Sequence, residues 1–111
     1  MDKNTGIYGK SALLEELLDY QGGAIVSKEL LKKESGTVTM FAFDQGQGLS
    51  EHTAPFDALV NIVDGEAQVK IAGELFILKK GEVIIMPANK PHSVQAEKQF
   101  KMLLTLIKAS D

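Results

Sequence analysis

Regularly spaced turn signals in the middle of the chain constrain its fold most strongly. Three dipeptides, each ending in glycine, recur eight residues apart, and each is suited to a tight turn. They are Asp64-Gly65, Ala72-Gly73 and Lys80-Gly81. Short apolar segments follow them at 67–72, 74–78 and 83–86. Because evenly spaced short strands with glycine turns are typical of sandwiches and closed barrels, the chain is predicted to be all-β.

Further elements flank this centre. Residues 24–33, 37–43 and 100–107 are predicted strands, and 93–95 is a shorter one. Ahead of them, residues 11–20 are predicted to form a helix: Ser11 is a suitable N-cap, and leucines 13, 14, 17 and 18 form one apolar face. The predicted organisation is an N-terminal arm with an amphipathic helix, residues 1–23, followed by a barrel, residues 24–111.

Composition excludes several classes of function. The 111 residues carry 12 lysines and no arginine against 15 acidic residues, with no basic cluster, so nucleic acid is not an expected partner. The absence of cysteine excludes disulfides, thiolate metal sites and a thiol nucleophile. No apolar signal region follows Met1 and no apolar run approaches a membrane span. The protein is therefore expected to be cytoplasmic, without a membrane partner.

The chain has only two histidines, and each stands in a glycine-bounded segment. His52 lies between Gly46 and Gly65, and His92 follows Gly81 and a proline-containing turn. These spacings resemble the two signatures of small single-domain cupins. The resemblance spans residues 46–96 and implies a double-stranded β-helix, or jelly-roll, barrel of the cupin type, with the short helix at its N-terminus.

The resemblance also implies a metal centre, because in cupins three histidines and a glutamate converge on a divalent transition metal. The four matching positions here hold His52, Ala54, Ala58 and His92, so only two ligands remain. The neighbouring carboxylate Asp57 has the opposite strand parity to Ala58 and is expected to point outward. Any metal, whether Zn, Ni, Fe or Mn, is expected to be weakly held on His52 and His92, and a barrel without metal is the alternative.

Alanine at two ligand positions enlarges and dries the expected cavity between the sheets, which a barrel of this size can use to hold a small ligand. The predicted ligand-binding residues are His52, Phe56, His92, Met40 and Met86. The plainer alternative is that the methionines and phenylalanine are core residues and that each histidine is a hydrogen-bonded loop residue.

Three functions remain open from the sequence. The first is a small-molecule-binding barrel with a two-histidine pocket. The alternative is a metal-dependent isomerase, dioxygenase or lyase that uses His52 and His92 as ligands. The third is a structural or regulatory role as a dimer with no ligand. The fold alone does not choose among the three, because one architecture hosts many chemistries. Whether the protein is an enzyme is left open, and no catalytic residue is assigned. A homodimer is expected because the helix leucines, Leu59 and Val63 would otherwise be exposed.

Overall fold

The computed structural model describes residues 6–109, and it is built almost entirely of β-strands. The all-β prediction is confirmed, and every predicted strand is present; the strand ending at His52 was not predicted. The eight strands are β1 (Ile25–Lys33), β2 (Gly36–Phe43), β3 (Gly48–His52), β4 (Phe56–Ile71), β5 (Glu74–Lys79), β6 (Val83–Met86), β7 (His92–Gln95) and β8 (Phe100–Lys108).

The strands form two antiparallel sheets that share one long strand. The first sheet has the order β1-β2-β8-β4-β6, and the second has the order β3-β7-β4-β5. The first half of β4 pairs with β6 and β8, and its second half pairs with β5 and β7. The curled sheet that results is consistent with the jelly-roll barrel implied by the sequence resemblance.

The Asp64-Gly65 turn signal needs correction, because it lies inside β4 instead of between two strands. The pairing of β4 with β8 shifts register between Ile62 and Asp64, and Gly65 has φ +76°. A Cβ atom at Gly65 would collide with the carbonyl oxygen of Gln99. Glycine here permits a bulge and a close backbone approach, so β4 can bend from the first sheet into the second. The other two signals join β4 to β5 and β5 to β6, as predicted.

The core lies between the inner faces of the two sheets. Phe43 of β2 and Phe100 of β8 stack with ring centroids 4.5 Å apart, and both are fully buried. Along β4 and β7, strand alternation places further apolar side chains inward, and these are also buried. They are Ala58, Val60, Ile62 and Val94, with Ala96 directly after β7.

The predicted helix over residues 11–20 is shorter than expected: only a single 3-10 turn, Leu14–Glu16, forms. Its N-cap position is Leu13, which has no capping side chain, and an isolated helix of about ten residues is marginal in water. The carbonyl oxygen of Glu15, which an α-helix would pair with the amide of Asp19, accepts a 2.5 Å hydrogen bond from Nζ of Lys101 instead. Across residues 6–109, no helix has the length and apolarity needed to cross a membrane.

Polar contacts hold this arm against the outside of the first sheet. The Lys101 side chain is 8% exposed and lies 5.0 Å from the centre of the Tyr20 ring. The Tyr20 hydroxyl donates a 2.6 Å hydrogen bond to Asp64, and burial of the phenol raises the pKa of Tyr20. Residues 1–5 and 110–111 lie outside the described residues. They include the start of the predicted N-terminal arm, where no signal region is predicted, and the end of the predicted barrel.

Candidate functional site

The structure brings the two histidines together at one end of the barrel. His52 ends β3, His92 begins β7, and the two residues are direct cross-strand partners. Their ring centroids are 4.4 Å apart, with the ring planes inclined by 67°. His52 is exposed to solvent, whereas His92 is only 5% exposed. The pair therefore extends from the barrel surface toward its interior.

Backbone carbonyls fix the same tautomer on both rings. Nδ1 of His52 donates to the carbonyl oxygen of Ser50 at 2.8 Å, and Nδ1 of His92 donates to that of Lys90 at 3.1 Å. A carbonyl oxygen can only accept, so each Nδ1 carries the proton. The neutral ring must then have a free lone pair on Nε2, which is the far nitrogen of the ring. The site consequently offers one hydrogen-bond acceptor on each of two neighbouring rings.

Burial also affects the charge of the pair. Desolvation of the His92 ring is the main cause that lowers its pKa, and proximity to His52 lowers it further. The hydrogen bond to the Lys90 carbonyl acts in the opposite direction. Because the desolvation effect is the largest, the neutral form of His92 is favoured in the folded protein.

The loop before His92, residues 87–91, is held in place by three hydrogen bonds that its backbone makes with other parts of the chain. The amide of Asn89 donates to the carbonyl of Ala54 at 2.8 Å, which ties this loop to the one after His52. The amide of Ala88 donates to the Asp57 carboxylate at 2.9 Å, and the amide of Ala72 donates to the carbonyl of Pro91 at 2.8 Å.

Asn89 explains how the second sequence signature is maintained. In the cupin signature that the sequence resembles this position is glycine, and the Asn89 backbone has φ +65°. Asparagine is among the few residues other than glycine that occupy this left-handed region readily. The substitution therefore preserves the loop conformation in which His92 is presented.

An apolar cavity of about 100 Å³ lies between the sheets beside the histidine pair. Apart from the two imidazoles, its walls are aliphatic, thioether and aromatic side chains. The lining consists of Leu49, His52, Ala54, Phe56, Ala58, Met86, His92, Val94, Met102, Leu104 and Leu106. Both alanines at the missing ligand positions face this space, as the sequence parity predicts.

Four of the five predicted ligand-binding residues line this cavity, and Met40 is the exception. Met40 is fully buried, but its neighbours Phe41 and Phe43 pack into the core, so strand alternation directs Met40 to the outer face of β2. Phe56 is the first residue of β4.

Three lining residues were missed from the sequence. Leu104 and Leu106 have the same parity as Met102 on the predicted strand 100–107, so strand alternation is the signal that could have found them. Leu49 belongs to β3, the strand that was not predicted.

The comparison with known families agrees with the geometry. A family model described as a cupin domain matches residues 39–107, which is more than half of the chain. The chain belongs to the cupin family. No functionally curated protein matches it.

Several solved structures are similar over most of the chain. A conserved protein of unknown function from Streptococcus pyogenes is 32% identical, with a TM-score of 0.82, and the match covers 91% of this chain and 88% of that one. A cupin 2 conserved barrel domain protein from Leptotrichia buccalis is 48% identical at a TM-score of 0.82, covering 85% of this chain and 46% of the other. A cupin superfamily protein from Desulfitobacterium hafniense is 25% identical, also at 0.82, covering 89% and 90%.

The donor set of this cupin does not fit the four-ligand metal centre that the resemblance implies. Ala54 and Ala58 line the cavity where a histidine and a glutamate would be needed. The Asp57 carboxylate is exposed and accepts its hydrogen bond from the amide of Ala88, in the loop before β7. Within residues 6–109, no group of three or more His, Cys, Asp or Glu side chains is arranged to hold a metal ion.

Proposed function

We propose that this cupin binds a small organic molecule in the cavity beside His52 and His92. The observation that carries the proposal is the pairing of an apolar cavity with two oriented imidazoles, both with Nε2 available. Ligand sites of this kind combine an apolar lining with a few placed polar groups that fix orientation. The apolar part of the ligand would occupy the barrel, and its polar group would meet the imidazoles.

The size of the cavity limits the ligand. An engineered apolar cavity of about 150 Å³ binds benzene in another protein. The cavity here is smaller, about 100 Å³, but it is lined in part by the exposed residue His52. A ligand with a body of about six non-hydrogen atoms, and with its polar group at the mouth, is therefore the largest expected.

Filling the cavity tests the proposal. Ala58→Val adds two methyl groups to the lining, whereas Ala67→Val adds the same groups at a buried position outside that lining. Ala67→Val is expected to lose about 1–3 kcal/mol of stability from overpacking, whereas the methyl groups of Ala58→Val enter open cavity space and should cost less. Ligand-observed NMR with a panel of small carboxylates, sugars and aromatics should detect binding to wild type and Ala67→Val, but not to Ala58→Val. Equal binding by all three proteins would show that the ligand occupies another place.

A weakly held divalent metal on the two imidazoles is the second candidate, and with it the metal-dependent enzyme. The observation that favours it is the shared tautomer, because metal-binding histidines commonly donate one ring N–H to a carbonyl and ligate through the other nitrogen. Two protein ligands are fewer than the three that catalytic zinc sites use, so weak affinity is expected.

Calorimetric titration with Zn²⁺ and Ni²⁺ tests the metal candidate. Binding that is lost in both His52→Gln and His92→Gln, and retained in Asp57→Asn, would support it. Asp57 is the matched control because its carboxylate is close in sequence but exposed and hydrogen-bonded to the Ala88 amide. Absence of measurable binding to wild type would contradict it without affecting the organic-ligand proposal.

We further propose that the protein is a homodimer that pairs through the outer face of the first sheet. Registers across this sheet align one row of side chains whose members are mostly apolar and exposed. The row is Ile85, Leu59, Thr105, Val38 and Leu31, of which Ile85 is 58% exposed and Leu59 and Leu31 are 37% exposed. Contiguous apolar surface of this kind marks interaction sites. The cytoplasmic location stays a prediction.

A further inference from the structure

The hydrogen-bonding character of the histidine pair restricts which polar group the ligand can present. We infer that the cavity selects a small, uncharged molecule with paired hydroxyl donors, such as a vicinal diol or a dihydroxybenzene. This inference rests on the proposed function and specifies its ligand class. Both Nδ1 atoms are already hydrogen-bonded to backbone carbonyls.

Nε2 of the buried His92 ring is accessible to a ligand. His92 makes no hydrogen bond within residues 6–109 other than that of Nδ1, and no buried side-chain nitrogen or oxygen in this range lacks a partner. Nε2 of His92 is therefore not sealed in the core but reaches open space. Because the ring lines the cavity, a ligand inside the cavity can approach this lone pair.

Two acceptors on neighbouring rings require donors from the ligand. The ring centroids lie 4.4 Å apart, so one small molecule with two hydroxyl groups can reach both imidazoles. A carboxylate offers only acceptors and would face two lone pairs. No other polar side chain lines the cavity, so nothing else there would compensate a carboxylate.

The apolar body of the ligand also matches the apolar walls of the cavity. A ring or short aliphatic body lies among Ala58, Met86 and Val94, which have no polar atoms in their side chains except the weakly accepting methionine sulfur. An analogue of the same shape without hydroxyl groups would leave the partly buried His92 lone pair without a partner. Sites built for a hydrogen bond reject such analogues strongly.

The test compares two molecules of nearly the same shape, catechol and 1,2-difluorobenzene, with benzoate as an acceptor-only probe. Binding is measured by ligand-observed NMR and calorimetry at pH 8, under nitrogen, with EDTA present so that no metal bridges catechol to the protein. We expect catechol to bind wild type at least about tenfold more tightly than either other probe. In His52→Phe and His92→Phe the preference for catechol over 1,2-difluorobenzene should fall to about twofold or less.

The outcomes separate this inference from the proposed function. Equal binding of catechol and 1,2-difluorobenzene, or preferred binding of benzoate, would overturn the paired-donor inference while leaving the cavity as a ligand site. A catechol preference that survives in the exposed-site variant His52→Phe would also overturn it, and this variant does not disturb a buried position. Failure of all probes and of the wider panel to bind wild type would overturn the proposed function itself.

Discussion

Single residues decide what the barrel end of this cupin can do. His52 and His92 were identifiable from the sequence because they are the only histidines and stand at signature spacings. Their mutual distance and shared tautomer were not, because both depend on the β3–β7 register and on carbonyls two residues earlier in the chain. Met40 illustrates the opposite failure, since composition suggested a lining residue and only strand parity excludes it.

The buried histidine should make stability depend on pH. The pKa of His92 is lowered in the folded state, so below the ordinary histidine pKa of about 6.5 the unfolded chain binds more protons. The contribution of His92 to the free energy of unfolding is therefore present above about pH 7.5 and declines as the pH falls through about 6.5. Urea unfolding with EDTA present should show that the free energy of unfolding falls more between pH 8 and pH 5.5 for wild type than for His92→Gln.

His52→Gln is the matched control for this experiment, because His52 is exposed and makes the same type of Nδ1 bond. It keeps the desolvated His92 ring, so it should lose more stability than His92→Gln over this pH interval. Equal losses in wild type and His92→Gln would contradict the assignment of this pH dependence to His92.

Among the elements, β4 determines the architecture. Its 16 residues serve both sheets, and the bend at Gly65 replaces the turn that the sequence suggested. A glycine within an alternating segment indicates either a turn or a bulge, and local sequence does not distinguish them without the pairing partner, here β8. The N-terminal helix failed for a similar reason, because the competing partner of its Glu15 carbonyl is Lys101, which is distant in sequence.

Glycine substitutions test the role of this bend. Gly65→Ala combines a positive φ with a backbone collision and is expected to lower the free energy of unfolding by about 3 kcal/mol or more. Gly73→Ala has a similar φ of +86° but no atom within 4 Å of the added Cβ, so a loss of about 1–2 kcal/mol is expected. Chemical denaturation measures the free energy of unfolding of both variants. Equal losses would mean that glycine is needed at position 65 only for its positive φ and not for the close backbone approach.

At the scale of the whole molecule, the two sheets enclose the cavity and leave apolar surface outside it. The fold could be predicted because turn spacing, strand alternation and the two signatures agree with one another. The ligand and the assembly could not, since both depend on which surfaces a second molecule covers. The N-terminal arm covers part of the outer face of the first sheet, where Lys101 is buried, but leaves the row through Leu59 and Ile85 exposed.

Sedimentation velocity tests the proposed dimer. Wild type should sediment as a dimer at micromolar concentration, and Leu59→Lys should sediment as a monomer because it introduces charge in the proposed contact. Leu75→Lys is the control, since Leu75 is 48% exposed but lies on β5 in the second sheet. Monomeric wild type would contradict the dimer, and a monomeric Leu75→Lys would place the contact on the other sheet.

The most direct measurement is long-range ¹H–¹⁵N NMR of the imidazoles, which is simple here because the two histidines give only four imidazole nitrogens. At pH 8 without metal, Nδ1 is expected to be protonated and Nε2 unprotonated on both rings. Both Nε2 signals are expected to shift when catechol is added. A proton on Nε2 of either ring, or catechol binding that leaves both signals unmoved, would contradict a cavity whose polar end is formed by these two lone pairs.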